Sequence, residues 1–455
     1  MELDIAIIGG GPAGAATALA LLNQGNWRIG IFEKSTQPVF QVGESLPPSN
    51  QFLLAKLGVL DSFKKEGHLP SLGNASAWGG DTLAFNDFWT SMGGQGWHLE
   101  RSRFDTWLLG EAAKRGAMVM RGRQVVGCAP LGGSLRDRTA NGDWSLKVKN
   151  QAGNFTQVNT SFVVDASGSR SIFAHWQGAC TIPMDSLLGI AAIFPLDGTE
   201  ALKTHYTLIE AVEFGWWYAA RLPENRVIVT LMCDRDLVHQ YGLSRPQNWT
   251  TALQQTNHVQ RLLKGTTNAT KLQIFQAFSQ YLDQTSGENW LAVGDAACKF
   301  DPLSSSGIYK ALYSAIQAAE VIKKCQDGQN KALLSYHLQT QFQFEKYLEE
   351  RRQYYSQEIR WHWSPFWQRR QAYLTLSPTT ILSFQSSPQV TTRLKHLNKY
   401  FSSKDLCLLC QLCQLSKPAS EVVREFLRQT NRKLSAYRPI EALQYLKDEQ
   451  VIQAV

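Results

Sequence analysis

The chain opens on an apolar run, Leu3-Asp4-Ile5-Ala6-Ile7-Ile8, which stops at Gly9 and gives way to an Ala/Leu-rich stretch ending near Leu22. A second apolar run, Ile29-Gly30-Ile31-Phe32, closes on Glu33. Continuous apolar runs bounded by glycine predict buried strands, here with a helix between them. Strand-like and helix-like segments interleave to about residue 320. Within 186–232 the pattern changes. Segments 187–195, 207–213, 216–222 and 226–232 are short and apolar, with turn residues between them, which predicts an antiparallel sheet. From Gln329 the periodicity is helical, with breaks at Ser364-Pro365, Ser377-Pro378, Ser387-Pro388 and Lys417-Pro418.

A chain of 455 residues exceeds one compact core, so two or three subdomains are expected. At 44% apolar and 18% charged, the composition is that of a folded protein. No apolar run approaches the length of a membrane span. The chain starts directly on a strand without a leader-like segment, and its eight cysteines are scattered. The expectation is a cytoplasmic protein with reduced thiols. The net charge of +8 is uneven, because 391–440 hold ten Lys or Arg against three acids. That surplus can steer an acidic partner. No nucleic-acid motif accompanies it, so nucleic acid is not an expected partner.

The glycines after the first strand spell Gly9-Gly10-Gly11-Pro12-Ala13-Gly14, and Glu33 ends the second strand 24 residues after Gly9. This is the dinucleotide fingerprint in full context. Gly9 makes the tight turn, Gly11 lets the backbone approach a pyrophosphate, and Gly14 lets helix and strand pack closely. Glu33 can accept a hydrogen bond from a ribose hydroxyl, with Lys34 beside it, and the helix N-terminus faces the phosphates. A second constellation is Gly294-Asp295, Asp301-Pro302, Ser305 and Gly307, with an apolar helix to Lys323. Asp295 can bind a ribitol hydroxyl, and the helix opened by Gly307 can stabilise the anionic edge of a reduced flavin. Arg101 starts a helical pattern and can reach a pyrophosphate. Asp165-Ala-Ser-Gly168 ends another strand and can line the dinucleotide. Cys407, Cys410 and Cys413 have helical spacing in an apolar stretch, which points to buried thiols, and no metal site is expected.

Together these segments resemble the group A flavin monooxygenase superfamily, with the FAD fold of p-hydroxybenzoate hydroxylase, over about residues 3–325. Gly43-Glu44-Ser45-Leu-Pro47-Pro48 and Asp165-Ala-Ser-Gly168 resemble flavin-dependent tryptophan halogenases, as does Gly215-Trp216-Trp217 with Leu222-Pro223. Halogenases carry a lysine about thirty residues after the Gly-Glu segment, and 73–88 contain none here. Ala77-Trp78-Gly79, Gly96-Trp97-His98 and the aromatic and arginine-rich stretch 354–370 resemble a narrower group, the flavoproteins that mature tryptophylquinone-cofactor oxidases and dehydrogenases.

The resemblance implies an α/β fold with a Rossmann-like FAD-binding domain (1–185 and 286–326), an antiparallel substrate-side sheet domain (186–285) and a helical C-terminal region (327–455). It implies an FAD-dependent monooxygenase that hydroxylates a tryptophan side chain within a polypeptide precursor, through a flavin C4a-hydroperoxide. O₂ is the cosubstrate, and electrons come from NAD(P)H or a separate flavin reductase, because no second G-x-G-x-x-G is present. Such an oxygenating centre needs a dry aromatic pocket, for which Trp78, Trp97, Trp216 and Trp217 are candidates. Glu44 and His98 are the candidate proton-transfer residues. The aromatics and arginines of 354–370 suit either a docking surface or a lid packed on the body. The alternatives are a tryptophan or pyrrole halogenase and a flavin-containing folding partner without turnover.

Overall fold

The computed structural model describes all residues except 38–39, 91–92, 132–143, 197–204, 264–268, 372–375, 377–379, 386–400, 402, 431–436, 449–450 and 455. The first apolar run is the strand Glu2–Ile8, near the middle of an eight-stranded sheet. Trp290–Ala292, Phe155–Asp165, Glu2–Ile8, Ile29–Glu33 and Met118–Arg121 lie side by side in that order, all parallel. Ile5 and Ile7 pack against the helices Pro12–Leu22, Arg101–Lys114 and Gly307–Gln326. Ala6 and Ile8 pack on the opposite side, with Trp144, Phe173 and Trp290. Both faces are covered, which is why the strands read as continuous apolar runs rather than alternating ones. In register, Ile8 stands beside both Phe32 and Asp165. Gly9, Glu33 and Ala166 therefore leave the sheet at one edge, the carboxyl ends of its parallel strands.

The second sheet has seven strands. Leu187–Pro195, Arg226–Asp234, Gly215–Leu222 and Tyr206–Val212 form its antiparallel centre, as the short apolar segments predict. One edge is Gln273–Gln276. The other edge departs from the expected division of the chain. Gly73–Ala77 pairs in parallel with Tyr206–Val212, and Ala84–Asp87 follows as a hairpin partner. Residues 73–87 thus belong to the second sheet and not to the FAD-domain segment 1–185. Thr181–Pro183, Gln280–Leu282 and Cys298–Lys299 form a further three-stranded sheet.

The C-terminal region is mostly helical, with Lys331–Ser356, Pro365–Gln371, Ser403–Leu412, Ala419–Thr430 and Tyr437–Asp448. It also contains a small sheet in which Ile381–Phe384 pairs with Lys417–Pro418 and Ile452–Ala454. All eight cysteines are free thiols, and Cys407 is exposed rather than buried. Ser377-Pro378, Ser387-Pro388 and part of the basic surplus lie outside the described residues. No described helix is long and apolar enough to cross a membrane.

The 354–370 stretch packs as a lid on the second sheet. Tyr355, Phe366 and Trp367 are in that sheet's core, and the Trp367 indole donates to the Val212 carbonyl. Arg370 pairs with Asp234 at 2.7 Å, with side chains only 1% and 2% exposed, and Arg369 adds a 2.9 Å contact. Burial alone would raise the Asp234 pKa, yet the two guanidiniums hold it below its ordinary value. Arg370→Met should strand that carboxylate with only the edge contact from Arg369. Unfolding stability should fall by about 3 kcal/mol, the low end for a broken buried pair. Urea denaturation of wild type, Arg370→Met and the double variant with Asp234→Asn checks this, and the double variant should recover part of the loss.

Candidate active site

A cavity of about 790 Å³ opens where the carboxyl edge of the first sheet meets the second. Two helix N-termini reach it. Gly11 caps the helix Pro12–Leu22, and Gly307 begins the 20-residue helix Gly307–Gln326. A Cβ built on either glycine meets nothing within 4 Å. Gly9 is different. It holds φ +116°, and a Cβ there would lie 2.2 Å from the Ala166 carbonyl oxygen. The turn is thus closed by Gly9 and left open by Gly11, which suits the approach of an anion to backbone N–H groups.

The candidate cofactor residues fall into two layers. Gly9, Gly11, Pro12, Ala13, Glu33, Lys34, Gly43, Ser45, Arg101, Asp295, Pro302, Ser305 and Gly307 line the cavity. Gly14 and Gly294 stand behind it as packing positions. A Cβ on Gly14 would sit 2.0 Å from the Gly9 carbonyl oxygen, and one on Gly294 would sit 2.7 Å from the Ala13 Cβ. Asp165 is a correction to the sequence reading. Its carboxylate accepts from the Ser167 N–H at 3.0 Å, the Ser167 hydroxyl at 2.6 Å and the Ala174 N–H at 2.9 Å. It shapes the turn and leaves Ala166 to Arg170 to face the cavity.

Several of the lining side chains are held in place. Glu33 accepts from the Gly10 N–H at 2.9 Å through one oxygen and from the Ser35 N–H at 2.8 Å through the other. Each oxygen keeps a lone pair for a ligand hydroxyl. Arg101 binds Asp105 and the Val42 carbonyl, which fixes the loop carrying Gly43 and Glu44. Asp295 is paired with buried Lys310 at 2.8 Å. Burial would raise the Asp295 pKa, but Lys310 and Lys299 outweigh it and keep the group anionic. Lys310 was not legible as a site residue, although it lies one helical turn past Gly307. Arg121, Arg123, Arg170 and Lys299 also line the cavity.

The second sheet supplies the opposite wall. Tyr218, Thr230 and Met232 share one face by strand alternation, with Tyr218 directly across from Thr230, and Phe275 joins them. Glu44 is buried on this side next to Tyr218. Burial raises the Glu44 pKa above the ordinary carboxylate value, against opposing effects of backbone N–H groups, Arg101 and Tyr218.

Four candidate pocket tryptophans and one candidate base lie elsewhere. Trp97 packs edge-on against Phe63 in the first core. Trp217 faces Trp249 on the far side of the second sheet. The Trp216 indole donates to the Tyr355 hydroxyl, and the Trp78 indole donates to the Tyr354 carbonyl. None of the four lines the cavity. His98 is fully buried, with Nε2 3.0 Å from the Thr207 hydroxyl, and burial pushes its pKa down to about 4. It reaches the cavity only through Thr207, whose hydroxyl donates to Ser45 at 3.3 Å. A neutral imidazole there can orient Ser45 but does not itself face a ligand.

The residues fit a flavin dinucleotide: two glycine-opened helix termini, a ribose-side carboxylate, a lysine-held Asp295 and several arginines share one cavity. Comparison with known proteins agrees. The chain is 31% identical over 375 residues to LodB of Marinomonas mediterranea, named an FAD-dependent oxidoreductase, covering 82% of this chain and 98% of LodB. It is 26% identical over 342 residues to a tryptophan 2-halogenase of Chondromyces crocatus, covering 71% of this chain and 62% of that enzyme. In fold it is similar to the myxobacterial chondrochloren halogenase CndH, with a TM-score of 0.72, 21% identity and coverage of 98% and 96%. It is also similar to the peptidyl tryptophan dihydroxylase QhpG of tryptophylquinone cofactor biogenesis, with a TM-score of 0.63, 21% identity and coverage of 98% and 99%. The tryptophan halogenase family model matches residues 4–75 and 86–409. The chain belongs to the tryptophan halogenase family of flavin-dependent proteins.

Proposed function

We propose that the protein is an FAD-dependent monooxygenase that hydroxylates a tryptophan side chain within a polypeptide, in the making of a tryptophylquinone cofactor. The observation that carries this reading is the lysine-free stretch 73–88. It folds as the hairpin edge of the second sheet, and the family match is interrupted within it, at 76–85. Support for a polypeptide substrate comes from the likeness to QhpG, and support for the class from the near full-length match to LodB.

When bound and reduced, FAD supplies two electrons with which O₂ gives one oxygen atom to an electron-rich ring and the other to water. Gly11 and Gly307 would present backbone N–H groups and helix termini to its anionic parts. Asp295, kept charged by Lys310, would hold a hydroxyl of the chain between the rings. Tyr218, Met232 and Phe275 keep water from the reacting end. Glu44, at that wall, takes up the proton the ring releases, at a carboxylate oxygen. The electron donor is NAD(P)H or a separate reductase.

One observation favours the halogenase reading. The cavity does hold an amine, Lys299, whose Nζ donates to the Gln276 carbonyl at 2.5 Å and whose pKa burial lowers. A single experiment separates the two. Wild-type protein receives reduced FAD, O₂, a tryptophan-containing peptide and excess bromide. The product mass should rise by about 16 Da for each oxygen inserted, in line with one oxygen atom per turnover. A brominated product that disappears in Lys299→Met would overturn hydroxylation and make Lys299 the guiding amine.

A further inference from the structure

Asp301 sits in the cavity wall at the bend before the helix Gly307–Gln326. Its hydrogen-bonding groups are turned toward the protein. Oδ1 accepts from the Leu303 N–H at 2.9 Å, and Oδ2 accepts from the Tyr355 hydroxyl at 2.8 Å. Its own N–H donates to the Tyr347 hydroxyl at 2.6 Å. Both tyrosines come from the helix Lys331–Ser356, outside the first sheet and its helices. Both are buried and anchored in turn. Tyr355 accepts from the Trp216 indole at 2.9 Å, and the Arg370 guanidinium lies over its ring. Tyr347 is 2.6 Å from the Ser279 hydroxyl, which also accepts from Arg351, itself paired with Asp185.

The bend is strained. Ser305 holds φ +47°, a left-handed conformation that a non-glycine residue rarely keeps without support. The loop is therefore gripped at Asp301 and released into the cavity at Ser305 and Gly307. We infer that Tyr355 and Tyr347 are positioning residues. They clamp the 301–305 bend from the C-terminal region and so set where the N-terminus of the helix Gly307–Gln326 stands against the flavin. The inference rests on the FAD reading above. It extends that reading by making the second sheet and the C-terminal helix part of the flavin site, although Tyr355 and Tyr347 themselves touch no ligand.

Tyr355→Phe keeps the ring and deletes the hydroxyl, which leaves the Asp301 Oδ2 and the Trp216 indole without that partner. The bend should loosen. FAD should bind about tenfold more weakly, the scale of one lost buried hydrogen bond. The visible band and midpoint potential of the bound flavin should shift, because the helix terminus that favours the reduced form has moved. Backbone amides of 303–307 should exchange hydrogen faster. Tyr347→Phe removes the other jaw and should act the same way. Trp249→Phe is the control, since it deletes a buried indole bond to the Ile190 carbonyl away from the cavity. It should lower the melting temperature and leave the flavin properties alone.

If both tyrosine variants melt lower but bind FAD with wild-type affinity, spectrum and potential, the clamp is overturned and the tyrosines are merely structural. Should either fail to fold, the other carries the same comparison, and failure of both to fold, with Trp249→Phe intact, also overturns a role confined to the loop. Wild type that takes up no FAD overturns the cofactor reading, and the clamp falls with it. That outcome is distinct from a wild type that binds while the variants match it.

Discussion

Gly11→Val is expected to purify as folded, colourless protein that stays colourless when excess FAD is added. The backbone at Gly11 is extended, with φ −72° and ψ −176°, a region valine adopts without strain. A Cβ there meets no protein atom within 4 Å, so the fold has no reason to object. The side chain would instead occupy the space through which a pyrophosphate reaches the N–H groups at the helix terminus. Closing that space removes both the contact and the favourable interaction with the terminus, worth up to about 2 kcal/mol in a partly buried site. The steric block adds to it. Gly14→Val should behave in the opposite way, because its Cβ would collide with the Gly9 carbonyl oxygen at 2.0 Å. That variant should lose its cooperative melt. Absorbance near the flavin bands and a thermal melt of each variant separate the two. A yellow Gly11→Val protein with wild-type affinity would move the pyrophosphate elsewhere.

The contrast between Gly11 and Gly14 was legible in the sequence because both act through local backbone geometry. The same holds for Glu33, whose place is set by the parallel register of two neighbouring strands. What the sequence hid depends on partners far along the chain. Gly73–Ala77 pairs with a strand more than a hundred residues later, and its own composition, Gly-Asn-Ala-Ser-Ala, says nothing about which sheet it joins. Asp165 ends a strand as a ligand-facing acid would, yet the Ser167 and Ala174 donors claim it, and those contacts form only after the turn folds.

The tryptophans show a different limit. In Trp216-Trp217-Tyr218 strand alternation puts the middle residue on the face opposite its neighbours. Period two alone separates Trp217 from Tyr218, but it does not say which face meets the cavity. The choice is made by Trp249 covering one side and Glu44 lying on the other. Of the three, Tyr218 is thus the one on the cavity, and Trp216 is diverted to Tyr355. The 354–370 stretch divides the same way. Tyr355, Glu358, Phe366, Trp367 and Arg370 hold it to the body, while Tyr354, Ile359 and Trp363 remain exposed. Its aromatic and basic composition is shared by docking surfaces and by buried lids, and only the burial pattern tells them apart.

Glu44→Gln should leave FAD binding intact and lower turnover by about 10²–10⁴-fold, the usual range for a lost acid–base group. The amide has the shape of the carboxyl but cannot take up the proton that an oxidised ring must lose. The pH profile gives the sharper sign. A base works deprotonated, so the wild-type rate should climb with pH through the Glu44 pKa, which burial sets above the ordinary carboxylate range. In Glu44→Gln that limb should vanish. Tyr218 favours the charged form of Glu44, so Tyr218→Phe should raise the Glu44 pKa further and move the limb to higher pH without erasing it. A purely structural role for the carboxyl would lower the rate at every pH by the same factor and leave the limb where it was. Rates of product formation across pH for the three proteins, with FAD saturating, decide between the two. If Glu44→Gln keeps both its limb and its rate, the base lies elsewhere. His98 is then a poor replacement, because its ring reaches the cavity only through Thr207 and Ser45 and titrates near pH 4.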